Sequence, residues 1–247
     1  MPATSLIEEL PKIVKEGRQE AQRILERLSS NTHIGLQTNE LVLPAKDTSG
    51  LWKGKNEQVI NKEWMNRLVY GDNLLAMQAL LAGDEATGLP SLRGKVDLIY
   101  IDPPFDSKAD YRTKINLPGM DIEQKPTVIE QFAYSDTWQD GTVSYLKMLY
   151  PRLVLMRELL SDKGSIYVHI DWHVGAYVKV LMDDVFGKDN FVNNIIWHYG
   201  GPSPIKTAFA RKYDIIYLYG KTLKRIFNPQ YGNIPISVLN RAKKDEN

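Results

Sequence analysis

Residues 95–105 read KVDLIYIDPPF. The apolar run from Val96 to Ile101, broken only by Asp97, has the length and residue types of a strand buried in a sheet. It ends abruptly in one acid, two prolines and an aromatic ring. Pro103 and Pro104 have fixed φ and no backbone N–H, and each keeps the residue before it extended. The exit from the strand is therefore stiff, and no local helix consumes its carbonyls. Asp102 adds a carboxylate acceptor and Phe105 a flat apolar face. The plain alternative is that Pro-Pro only ends the strand while Phe105 packs in the core.

The flanking sequence places this strand in an α/β pattern. Leu6, Leu10, Ile13, Ile24, Leu25 and Leu28 recur at helical spacing and predict a helix over 5–29, weakened by Pro11 and Gly17. Residues 30–63 are polar and turn-rich and read as a linker or arm. Beyond them, strands are expected at 67–70, 95–101, 164–170, 191–199 and 213–219. Helices are expected at 73–82, 141–161 (kinked or restarted at Pro151) and 174–186. Such alternation implies a mostly parallel sheet with helices on both faces. The expected division is an N-terminal helix and arm over 1–63, a catalytic core over 64–222 and a tail over 223–247. Between Asp102 and about Asp140 no periodic element is apparent. Connections that long are usually functional, and this one leaves the C-terminal end of a strand, where open α/β sheets bind ligands.

Composition narrows the class. The 247 residues are 43% hydrophobic and 25% charged, which excludes a mostly disordered chain. No apolar run is long enough to cross a bilayer, and the charged N-terminus is unlike a signal peptide. A cytoplasmic protein without membrane contact is expected, in keeping with the absence of cysteine. The net charge of +1 selects no partner. From Gly201 to Arg225, however, six bases face one acid, Asp214. Lys206, Arg211 and Lys212 in that stretch are candidate contacts to phosphates, the alternative being a solvated loop.

Two rigid acceptors beside a flat face suit a planar ring bearing an exocyclic amino group. The two N–H bonds can point at the Asp102 carboxylate and the Pro103 carbonyl while the ring stacks on Phe105. Acceptors that favour a pyramidal nitrogen draw its lone pair out of conjugation and make it a nucleophile.

DLIYIDPPF (97–105) resembles the catalytic motif of DNA amino-methyltransferases. LVYGDNLLAMQAL (68–80) is similar to the strand and helix those enzymes carry before the catalytic strand. The run from Tyr150 to Phe191, then IIWHY and KYDIIYLYGK, resembles the elements after it, so that the resemblance covers about 64–221. It is to the class whose catalytic motif precedes its cofactor loop, including the modification subunits of type III restriction systems. The resemblance implies a Rossmann-like methyltransferase fold. It implies S-adenosylmethionine as cofactor, double-stranded DNA as substrate and a restriction subunit as a possible partner. It assigns catalysis to Asp102, Pro103, Pro104 and Phe105, and cofactor contacts to Asp72, Asn73 and Asp102. Adenine N6 is the favoured target, with cytosine N4 as the alternative and a non-catalytic DNA-binding fragment as a third reading. Asp72 is equally suited to capping the helix that starts at Asn73.

His169, Asp171 and His173 alternate, which suggests a metal site. The strand is expected to end near Ile170, and sulfonium chemistry needs no metal, so none is assigned. His169 and Asp171 are placed near the base pocket instead. Tyr134 and Trp138 are candidates for stacking on a flipped base or for local packing, while Trp197 and Tyr199 read as core. The family's glycine-rich cofactor turn has no counterpart: no two of the 17 glycines are separated by one residue. The expectation is an incomplete fold, with a C-terminal half or partner chain supplying the cofactor loop.

Overall fold

The fold is that of a computed structural model, which describes residues 5–28, 68–69, 71–83, 89–103, 113–117, 120–124, 141–201 and 206–229. Helix α1 spans Leu6–Leu28 and α2 Asn73–Ala82. Strand β1 is Val96–Ile101, and β2 and β3 are Thr113–Leu117 and Met120–Gln124. Helix α3 is Thr142–Leu159 and leads directly into β4, Leu160–Asp171. Helix α4, Gly175–Phe186, precedes β5, Phe191–His198, and β6, Tyr213–Gly220.

The main sheet has the order β1-β4-β6-β5. β1 and β4 are parallel, whereas β4–β6 and β5–β6 are antiparallel. The α/β architecture is as expected, but the sheet is mixed and not mostly parallel. Among the described residues no crossover helix lies between β5 and β6, in keeping with their antiparallel pairing.

The register decides which face is covered. Ile99 and Ile101 of β1 pair with Ile166 and Val168 of β4, which in turn pair with Tyr219 and Tyr217 of β6. These side chains form one core with Leu146, Leu149 and Leu153 of α3, Val178, Leu181 and Met182 of α4, and Ile13 of α1. Helix α2 joins through a second cluster in which Met77 and Leu81 meet Ile24 of α1 and Leu155 of α3. All four helices therefore stack on the same side. Helices on both faces were expected; among the described residues the opposite face carries none. Leu98, Tyr100 and Trp197 on that face are exposed.

Two further expectations change for the same reason. Among the described strands β1 lies at an edge with one open face: Leu98 is 62% exposed, so it is not a buried strand. Trp197 and Tyr199 are not core; Trp197 is 60% exposed because β5 is the other edge of the sheet. Leu68 and Val69 lie in no strand. Pro151 sits inside an unbroken α3 and is buried there. The segment after Asp102 contains an antiparallel hairpin, β2–β3, in which Ile115 opposes Ile122. The Leu-Pro-Gly-Met sequence between the strands is a turn signal, but each strand is too short for its periodicity to stand out. The arm at 30–63, Pro104, Phe105, Tyr134 and Trp138 lie outside the described residues.

Helix α1 is tied into the core by its composition. Ile13, Gly17, Ala21 and Ile24 form its buried stripe. Arg18 donates to both oxygens of Asp184 at 3.0 Å, and the Tyr150 hydroxyl donates to Asp184 Oδ2 at 2.5 Å. One carboxylate thus links α1, α3 and α4. Burial and the Asp184 carboxylate push the Tyr150 phenol up to about 12.

Candidate functional site

The parallel register of β1 and β4 pairs Ile101 with Val168 and sets Asp102 beside His169. Asp102 is the first residue beyond β1, and its side chain is 57% exposed. His169 points to the side of the sheet that bears no described helix and is only 17% exposed. Its Nδ1 is 2.9 Å from the Tyr100 hydroxyl and 3.8 Å from Asp102 Oδ1. Its Nε2 is 3.4 Å from Asp214 Oδ2, and the Asp214 side chain is 16% exposed. Tyr100 therefore meets His169 both by hydrogen bond and by an edge-on ring contact. Partial burial, then the Asp102 charge, raise the Tyr100 phenol above its ordinary value.

Asp171 ends β4. Its Oδ1 accepts from the backbone N–H groups of His173 and Val174 at 3.0 and 3.3 Å, closing the turn into α4. His173 lies beyond the strand, so the alternating His-x-Asp-x-His does not converge. No cluster of three or more potential metal-ligating side chains occurs among the described residues. Tyr199, which follows β5, is raised by desolvation first and then by Asp214 and Asp171. One end of the open face thus collects Tyr100, Asp102, His169, Asp171, Tyr199 and Asp214.

Asp72 is the N-cap of α2, its Oδ1 accepting from Leu74 and Leu75 N–H at 2.8 and 3.2 Å. Its second oxygen faces Arg152 Nη2 at 3.8 Å. Arg152 also donates through Nε to Asn73 Oδ1 at 2.6 Å and through Nη1 to the Met148 carbonyl at 2.7 Å. Arg152 is mostly buried, and desolvation holds its guanidinium below the usual value, partly offset by Asp72 and Glu20. Gly71, just before the cap, has φ 139° and open space where a Cβ would stand. Backbone at that point can approach a bound group closely.

Of the basic candidates, Arg211 lies over the Trp172 ring, 4.5 Å from its centroid, at the same end of the sheet as Asp171. The Lys212 carbonyl accepts from Tyr199 N–H at 3.1 Å, extending the β5–β6 ladder by one bond. Lys206 is exposed in the loop before them. Tyr100, Asp214 and Arg152 were not singled out from the sequence. Asp214 had a signal: it is the one acid in the basic stretch, and it opens an otherwise apolar strand.

Residues 96–247, more than half of the chain, match the family model described as DNA methylase. The chain belongs to that family. The match begins at the first residue of β1, so the strand that leads into Asp102 opens it. The Type II methyltransferase M.EcaI of Enterobacter cloacae is 30% identical over 78% of this chain and 38% of its own length. The EcoP15I Mod subunit of a type III restriction-modification enzyme from Escherichia coli is 27% identical over 72% of this chain and 28% of its own. A probable HindVI Mod subunit from Haemophilus influenzae is 32% identical over 73% of this chain and 21% of its own. The chain thus spans well under half the length of these relatives.

Proposed function

We propose that this chain carries the base-activating site of a site-specific DNA methyltransferase that modifies an exocyclic amino group, with adenine N6 the favoured target. The observation that carries the reading is Asp102. A solvent-facing carboxylate stands at the C-terminal end of β1, followed by the Pro103 carbonyl, on the side of the sheet that bears no described helix. That side leaves room for a planar base extruded from a duplex.

In this reading Asp102 and the Pro103 carbonyl accept the two amino N–H bonds, Pro104 stiffens the turn, and Phe105 stacks on the base. S-adenosylmethionine, when bound, would supply an electrophilic sulfonium methyl to the amino nitrogen that Asp102 and the Pro103 carbonyl orient. The proton then leaves the nitrogen for Asp102 or for solvent. Asp72, Asn73 and Asp102 are the proposed cofactor contacts, favoured by the open backbone at Gly71. The glycine-rich turn absent from this sequence is supplied by a partner chain or a further segment. Lys206, Arg211 and Lys212 meet the phosphates of double-stranded DNA, and a restriction subunit is a further partner.

The test is transfer of labelled methyl from S-adenosylmethionine to mixed-sequence DNA by the wild type and by Asp102→Ala. Label in DNA from the wild type alone supports the reading, and nucleoside mass then separates adenine from cytosine. Label that survives Asp102→Ala sinks the assignment of Asp102. DNA binding without label from either protein favours the non-catalytic binding fragment.

A further inference from the structure

His169 lies between two carboxylates of opposite character. Asp102 faces solvent, whereas Asp214 is held within the sheet. Nδ1 is shared between the Tyr100 hydroxyl at 2.9 Å and Asp102 at 3.8 Å, while Nε2 faces Asp214 at 3.4 Å. Among the described residues the ring stands between Tyr100 and Asp102 on the β1 side and Asp214 on the β6 side.

The two states of the imidazole place different demands on Asp102. In the neutral ring protonated at Nε2, that N–H points to Asp214 and the Tyr100 hydroxyl donates to Nδ1. Both Asp102 oxygens are then left to accept from a base. In the imidazolium, Nδ1 also carries a proton and turns from acceptor to donor. It takes one lone pair of the nearest carboxylate and pairs with its charge, drawing Asp102 toward the sheet and away from the amino group.

We propose that His169 is a positioning residue for Asp102: neutral, it leaves the carboxylate extended toward the target amino group, and protonated, it withdraws it. The proposal rests on the role given to Asp102 above. Among the described residues the titratable groups beside the ring include Tyr100 of β1 and Asp102 just after it, Tyr167 and Asp171 on its own strand and Asp214 of β6. Of these, Asp102 is the one that would also touch the substrate.

Two measurements test it on the full chain. The first does not require turnover. Ring carbons of labelled histidine are followed by NMR through a pH titration, and the His169 signal is identified by its loss in His169→Gln. Removing the Asp102 charge in Asp102→Asn should lower the His169 midpoint, since a nearby carboxylate favours the imidazolium. An unchanged midpoint overturns the proposal.

The second is the pH profile of methyl transfer. His169→Gln should leave KM for DNA nearly unchanged and lose the acid limb of the wild-type kcat profile. Tyr100→Phe should keep that limb. A His169→Gln profile parallel to the wild type overturns the proposal, because a purely structural role would lower the rate equally at every pH. If the wild type transfers no methyl while the Asp102→Asn midpoint still moves, the methyl-transfer reading fails and the His169–Asp102 coupling is supported.

Discussion

Gly17 of α1 lies directly against the ring of Tyr150 in α3: a Cβ at position 17 would stand 2.5 Å from Tyr150 Cδ1. The ring cannot step aside without breaking its hydroxyl bond to Asp184. Gly17, which weakened the helix as a sequence, is the residue that lets the helix dock. Gly17→Ala should therefore destabilise the protein. The gain of about 1 kcal/mol in helix propensity is outweighed by an overpacking cost of about 1–3 kcal/mol. Urea unfolding of the two proteins reads the difference; a more stable Gly17→Ala would mean that the helices separate freely.

Tyr150 also predicts an alkaline limb of stability. Its folded value is raised from 10.0 to about 12. The unfolded chain therefore loses this proton first, and stability falls as pH rises from about 10 to about 12. Tyr219, buried and bonded to Asp183, is raised further and adds to the same trend. Tyr150→Phe should be less stable at pH 8 by about 1 kcal/mol, for the lost hydrogen bond, and should lose less than the wild type between pH 10 and 12. Parallel curves for the two proteins would remove Tyr150 from this account.

Asp72 has two assigned roles that substitution can separate. Asp72→Ala removes the α2 cap and should cost about 1 kcal/mol. Asp72→Asn keeps a capping oxygen and should be nearly as stable as the wild type. If Asp72 also contacts the cofactor, Asp72→Asn should still lose S-adenosylmethionine affinity, measured by calorimetry. Equal affinity in Asp72→Asn and wild type would leave the residue as a cap alone.

Lys206, Arg211 and Lys212 are expected to act on DNA without regard to sequence. Changing each to Ala should weaken binding uniformly and make the plot of log affinity against log salt shallower by about 0.9 per lost phosphate contact. Arg211, held over Trp172, should have the largest effect because its side chain is already ordered. An unchanged salt slope in the triple variant would reassign the stretch to a solvated loop.

The sequence made the local elements legible where periodicity or a stiff exit marked them. The ends of β1, α2, α4 and β6 fall within a residue or two of their expected positions, because Pro103, the Asp72 cap, Gly187 and the apolar run before Gly220 punctuate them. Strand direction and the covered face were not legible, since neither leaves a mark on a single strand. Both follow from the return of the chain from β5 to β6, and Trp197 and Tyr199 were read as core for want of it. At the site, Asp102 announced itself through its prolines. Tyr100 and Asp214 did not, because their importance lies in which strand stands beside which.

The contact between Asp102 and His169 depends on one ladder. β1 pairs only with β4 among the described strands, and the two residues are far apart along the chain. The Tyr150–Asp184 tie and the antiparallel β4–β6–β5 unit do not pass through β1. Loosening of β1 from the sheet edge would therefore dismantle the carboxylate–imidazole pair while most of the molecule stays folded. Amide exchange along Val96–Ile101 is in that sense a clock for the site, ticking at the rate of the edge strand and not at that of the core.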